Sequence, residues 1–398
     1  MSMPHANCHR LIMQAFIEDV SALTSGASTD SVRRQSNQIE NHLRELYARD
    51  RNHPYLSDPY VGLIDLYSAP LCTRSVHARE FDPLDFDGLS SSYVLPLSAN
   101  ERRKSGELAV AASFPDFLET WGFFTENLLK DIEWSNVIAA GGSVANCITP
   151  LPDQARGSPR KMRDFLHHDA YPTADVDLFL YGLTACEAEK KIIAIANAIQ
   201  NTAAVKTICV RTKHAVSIIA EIILSFDVDS TCVAFDGKRV LVTPRACIAY
   251  MTQCNTVDIS RRSPSYEMRL FKYATRGFEI CVPTLRRRDV SPKIYQLPLA
   301  LTSGLARLLC LEKRYRDDAV SVEGKPPTNR YEDRAPMHDE DRLPTNDYDV
   351  SHIKIPYNPQ WNANRVKKLV DRVNLMLNRD IKFFHSSDRD AEKYTHRT

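Results

Sequence analysis

Residues 174–182, ADVDLFLYG, interleave Asp175 and Asp177 with Val176, Leu178 and Leu180. Successive side chains of a strand point to opposite faces, so the spacing predicts a strand over Val176–Tyr181 with both carboxylates on one face. Two unit charges about 4 Å apart repel by roughly 4 kcal/mol at an effective dielectric near 20. A strand end built this way needs a cation or a basic partner. Magnesium is the natural candidate, because it accepts one or two carboxylates and takes its other oxygens from phosphate and water. The plainer alternative leaves one aspartate exposed at the strand end and uses the other in a turn.

Around this strand the chain alternates. An apolar strand is expected over Asn136–Ala140, a helix over Glu187–Gln200 opened by a Thr184/Glu187 capping box, and strands over Thr207–Val210 and Ala215–Ile219. In FDVDSTCVAFDGKRVLVT, Asp236-Gly237 separates two alternating apolar runs, a hairpin signal with Asp227 and Asp229 at its head. The pattern predicts an α+β chain: a mixed sheet with flanking helices, followed by a helical region.

With 398 residues, one continuous core is not expected. The expected organisation is a helical and irregular N-terminal region over 1–110, an α/β core over 111–245, a helical domain over 246–320, a disordered linker over 321–350 and a helical tail over 351–398. Ile39, Leu43, Leu46 and Tyr47 recur at helical spacing, residues 51–100 show no sustained period, and a helix over Phe114–Leu129 leads into the core. Ser263 as N-cap, Pro264 at the first helical position and Gly277 past the end bracket another helix. One more is expected over Thr302–Arg314. The linker is dense in Pro, Asp, Glu and Arg, and too poor in aliphatics to offset its ordering entropy.

The formal net charge is +1, so no bulk field draws the chain to nucleic acid or membrane. Ten cysteines sit singly in apolar runs without metal-site spacing, which reads as buried free thiols in a reducing compartment, cytoplasmic or nuclear. The longest apolar run, near residues 215–226, is broken by Glu221 and too short to span a bilayer. His167, His168 and Asp169 lie in a polar insertion without a distant matching pair, and no metal site is expected there.

The strand before Gly141 and Gly142 runs into Ser143 and a short helix, the outline of a phosphate cradle. Such a turn is more often simple punctuation. Arg269, Lys272 and Arg276 at i, i+3 and i+7 share one helix face and would meet a triphosphate, or would form a solvated cationic face. Asp227 and Asp229 repeat the D-x-D pattern, and either would complete a carboxylate set. Arg261, Arg262 and Arg286–Arg288 are the basic runs open to nucleic acid, without interleaved aromatics for stacking.

Gly141-Gly142-Ser143, then Asp175-Val176-Asp177, then a later strand Asp together resemble the nucleotidyltransferase superfamily of polymerase-beta-type enzymes and poly(A) polymerases. NVIAAGGSV, ADVDLFLYGL, SFDVDSTCVAFDGK, RRSPSYEMRLFKYATRGFEI and GLARLLCLEK are similar to a largely uncharacterised eukaryotic group often labelled ankyrin repeat proteins. The likeness covers roughly residues 115–315, and no ankyrin repeat is seen. It implies a nucleoside triphosphate gripped at Gly141, Gly142 and Ser143, with Arg269, Lys272 and Arg276 at its phosphates. It also implies Mg2+ on Asp175, Asp177 and Asp229, with Asp227 or Asp229 assisting an unidentified acceptor. The implied activity is transfer of a nucleoside monophosphate; a catalytically degenerate binding or scaffolding module is the alternative. Two departures stand out: the long insertion between Gly142 and Asp175, tolerable if it loops outward, and a shortened segment before SFDVDS that puts the third carboxylate in question.

Overall fold

The computed structural model describes residues 5–80, 92–171, 174–203, 208–211, 226–320 and 382–385, apart from Ser25 and Pro264. It is α+β, with helices packed on antiparallel and mixed sheets. The N-terminal helices α1 (His5–Ser21) and α2 (Asp30–Arg49) precede β1 (Ile64–Asp65), β2 (Tyr93–Val94) and α3 (Phe114–Phe124). Then come β3 (Val137–Ala140), α4 (Gly142–Ile148), α5 (Pro159–Asp164), β4 (Asp177–Leu180), α6 (Ala185–Thr202) and β5 (Ile208–Arg211). The hairpin β6 (Val233–Phe235) and β7 (Val240–Val242) leads to α7 (Pro244–Thr252), β8 (Cys254–Thr256), α8 (Tyr266–Ala274), β9 (Glu279–Cys281) and α9 (Gly304–Val320). A last strand, β10 (Lys382–His385), pairs antiparallel with β5.

The main sheet has the order β1-β7-β6-β3-β4, with every pair antiparallel. A second sheet, β2-β9-β8, joins an antiparallel pair to a parallel one. The expected strand and hairpin are present, and Thr184 and Glu187 form the capping box that opens α6. The strand expected at 215–219, the linker and all of the expected helical tail except Lys382–His385 lie outside the described residues; those four form the strand β10. Burial explains the central strand: Val137, Ile138, Ala139 and Ala140 are fully enclosed, as a continuous apolar run with covered faces requires.

Three features differ from expectation. Residues 51–100 are irregular in sequence yet donate the edge strands β1 and β2, because backbone pairing at a sheet edge needs no long apolar period. The insertion between Gly142 and Asp175 does not loop outward: Met162, Leu166 and Tyr171 are buried in the main core. That core also takes in Met13, Phe16 and Val20 of α1, so the N-terminal helices and the sheet share one apolar interior. Ser263 is not an N-cap. Ser265 occupies that position without a side-chain cap bond, and the Ser263 hydroxyl turns to Asp227 instead.

The β6–β7 turn carries a testable constraint. Gly237 has φ +87°, and a Cβ there would sit 2.2 Å from Trp134, which packs on Phe235. Gly237→Ala combines left-handed strain with overpacking, and about 2–4 kcal/mol of stability should be lost. Urea unfolding of the two proteins would show it as a lower midpoint at constant slope; an unchanged midpoint refutes the packing described here.

Candidate functional site

The glycine turn and the acidic strand meet through the sheet. Antiparallel register sets Ala140 opposite Asp177, so the β4 carboxylate lies beside the residue that enters Gly141-Gly142-Ser143. Gly141 adopts φ 82° and ψ −141°, a conformation a side chain resists, and its amide donates to the Val233 carbonyl at 3.0 Å. A Cβ on Gly141 would approach the Phe226 ring to 3.4 Å, and one on Gly142 would come 3.0 Å from the Tyr273 hydroxyl. The turn is therefore pressed between the 226–229 segment and α8. Inside it the Ser143 hydroxyl and the Asn146 amide nitrogen are buried without a hydrogen-bond partner among the described residues.

Helix α8 supplies Arg269 and Lys272, while Arg276, expected on the same helix face, lies in the turn just past its end. Arg276 is bonded to Asn146 Oδ1 at 3.0 Å and lies over the rings of Tyr171 and Tyr273, at 5.0 and 5.3 Å from their centroids. Lys272, one turn earlier, is lowered to about 8, by desolvation first and then by Arg276, while Asp175 and Asp177 pull it upward. Asp177 is raised to about 6, by desolvation first and then by the charge of Asp175, with Lys272 opposing. The Asp177 side chain itself is exposed, so its desolvation comes from protein around it rather than from enclosure. Asp175, Asp177, Lys272 and Arg276 thus feel one another's charge at the end of β4.

The second D-x-D pair splits. Asp227 is buried and turned toward α8: its Oδ2 accepts from Arg269 at 2.6 Å and from the Ser263 hydroxyl at 2.8 Å, while Oδ1 is buried without a partner among the described residues. Asp229 points away. It accepts from Arg245 at 3.2 Å and from the Thr256 amide at 2.8 Å, inside a buried ion network. Alternation would set residues two apart on one face, but Asp229 opens a 3-10 turn over Asp229–Thr231, so the chain leaves the extended conformation and the two acids serve different neighbourhoods. Of the residues expected from sequence, Gly141, Gly142, Ser143, Asp175, Asp177, Lys272 and Arg276 gather around one end of β3 and β4. Arg269 joins through the same helix and holds Asp227. Asp229 does not join them.

Among the described residues no three His, Cys, Asp or Glu side chains group so as to hold a metal ion. Asp175 and Asp177 supply two carboxylates, and the Asp177 pKa is raised first by desolvation and then by the charge of Asp175, a repulsion that a divalent ion would relieve. That donor set fits magnesium only if phosphate and water complete its shell. His167 takes a structural role: it contacts the Phe123 carbonyl at 3.1 Å and Glu126 at 3.2 Å.

Sequence reasoning missed Tyr171, Tyr273, Asn146 and Phe226, which carry no local motif and reach the site only through packing. Tyr171 belongs to the insertion, whose polar composition concealed its buried residues.

No known protein-family model matches this chain, and no solved structure matches it significantly. An uncharacterised protein of Acanthamoeba polyphaga mimivirus is 27% identical in a match that covers 50% of this chain and 46% of the viral protein. The chain thus spans about half the length of that curated relative. No described helix is long and apolar enough to cross a membrane.

Proposed function

We propose that this chain is a nucleotidyltransferase-like protein that binds a nucleoside triphosphate with magnesium in the crevice between the glycine turn, β4 and α8. The observation that carries the reading is the Ala140–Asp177 register: it brings the carboxylate pair to the glycine turn, opposite Lys272 and Arg276. Asp175 and Asp177 would hold the ion, which would neutralise phosphate charge. The Ser143 hydroxyl, the Asn146 amide, Lys272 and Arg276 would face the phosphates. Arg269 acts through Asp227 and positions α8.

Binding is better supported than transfer. Asp229, one candidate for the third carboxylate, is committed to Arg245, and Asp227 already neutralises Arg269. Transfer of a nucleoside monophosphate to an acceptor hydroxyl is the second reading, favoured by Asp227 Oδ1, which has no hydrogen-bond partner among the described residues.

Titration calorimetry with each of the four ribonucleoside triphosphates, with and without magnesium, tests the first reading. Tight, metal-dependent binding that Asp175→Ala abolishes is the expected result. Absence of any metal-dependent binding to the intact chain sinks it. Single-turnover labelling from radiolabelled triphosphates decides the second: incorporation lost in Asp227→Asn supports transfer, and none with RNA, protein or small acceptors rejects it.

A further inference from the structure

A separate cavity of about 520 Å³ opens on the far side of the 226–229 segment, between α2, α7 and α9. Arg33, Asn37, Asn41, Arg245, Arg261 and Arg262 line it, and Ile248, Val282 and Leu308 form an apolar wall. Arg33, Asn37 and Asn41 follow one another at i, i+4 and i+8, so a single face of α2 presents a guanidinium and two amides.

Arginines and carboxylates balance on paper but not in geometry. Glu40 bridges Arg245 and Arg261, Asp229 takes Arg245, Asp258 takes Arg261 at 2.8 Å, and Glu267 takes Arg262 at 2.5 Å. Four acids are thereby consumed by three arginines. Arg33 has no ion pair among the described residues; hydroxyls of Thr256 and Thr29 meet its guanidinium. Arg261, with 7% of its surface exposed, keeps Nη2 without a hydrogen-bond partner among the described residues. Arg44 adds a fifth positive charge close enough that, after burial, Arg261 and Arg245 are the largest influences lowering it. Buried guanidinium nitrogens left open are costly unless a ligand oxygen satisfies them.

We infer that this cavity is a second binding site, for a small organic oxyanion whose phosphate or carboxylate group docks on Arg33 and the α2 amides and whose carbon skeleton lies on the apolar wall. Guanidinium and amide donors match either oxyanion, and the volume is that of a small-metabolite pocket. Asp229 lines the cavity while Asp227, two residues earlier, serves the crevice. One short segment therefore borders both sites.

The test is calorimetric titration of the full chain, without magnesium, by inorganic phosphate, glucose 6-phosphate and citrate in separate arms. At least one organic oxyanion is expected to bind, more tightly than inorganic phosphate. Arg33→Gln and Asn37→Asp should each weaken it by about tenfold or more. Lys272→Gln should leave it within about twofold, because that residue belongs to the other site. Asn37 is exposed, so its variant decides the matter if Arg33→Gln fails to fold. Three outcomes overturn the inference: no binding by any probe up to about 1 mM, binding unmoved by Asn37→Asp, or binding abolished by Lys272→Gln. The last would move the anion to the nucleotide crevice.

Discussion

Magnesium-dependent nucleotide affinity should peak between about pH 6 and 8 and fall on both sides, because Asp177 is raised to about 6 and Lys272 is lowered to about 8. The ion requires both carboxylates charged. As pH drops through about 6, Asp177 takes a proton in the free protein and must release it on binding, so affinity declines in acid. Lys272 must carry its proton to face phosphate. As pH rises through about 8 that proton leaves, and affinity declines in base. Asp177→Asn should lose the acid limb and on the order of a hundredfold in magnesium-dependent affinity. Residual metal-free binding should survive or improve, since one negative charge beside the phosphates is gone. The side chain is exposed, so the fold should tolerate the change. A profile flat from pH 5 to about 9 would contradict the electrostatic coupling of Asp177 and Lys272.

Glu40→Ala should be the most damaging single truncation away from the glycine turns. Glu40 is completely buried on α2, accepts from Arg245 at 3.0 Å and also pairs with Arg261. Both guanidiniums are themselves buried, so removing the shared carboxylate leaves two arginines undercompensated in a poorly solvated interior. Breaking a buried pair in this way costs about 3–5 kcal/mol, and the melting temperature should fall by roughly 10 °C. The comparison variant is Glu45→Ala, five residues on, whose pair with Arg49 is 3.9 Å long and open to solvent. Its loss should cost under about 0.5 kcal/mol. Scanning calorimetry of the two variants separates the cases; equal melting temperatures would mean that the network contributes nothing to holding α2 on α7.

Much of the scaffold was legible in primary order. Alternation marked β4, an unbroken apolar run marked β3, Asp-Gly marked the β6–β7 hairpin, and Thr184 with Glu187 marked the start of α6, all through local geometry that short-range residue choice controls. Position-by-position pattern likewise brought out the glycine turn, a strand beginning at Asp177 and a helix carrying Arg269 and Lys272, but not that Arg276 would lie past that helix's end. It did not say that a capping serine would instead hold Asp227, because N-cap and long-range hydroxyl partners use the same residue type.

Sequence by itself determined the local elements and the residue types able to meet a phosphate or a cation, since both depend on neighbours a few positions apart. Only the tertiary structure decided which of those residues share a space. The antiparallel register of β3 with β4 carried Asp177 to the glycine turn, and Arg245 drew Asp229 into a buried ion network while Asp227 faced α8. These outcomes rest on contacts between segments far apart in the chain, where burial and charge compensation outweigh any short-range signal.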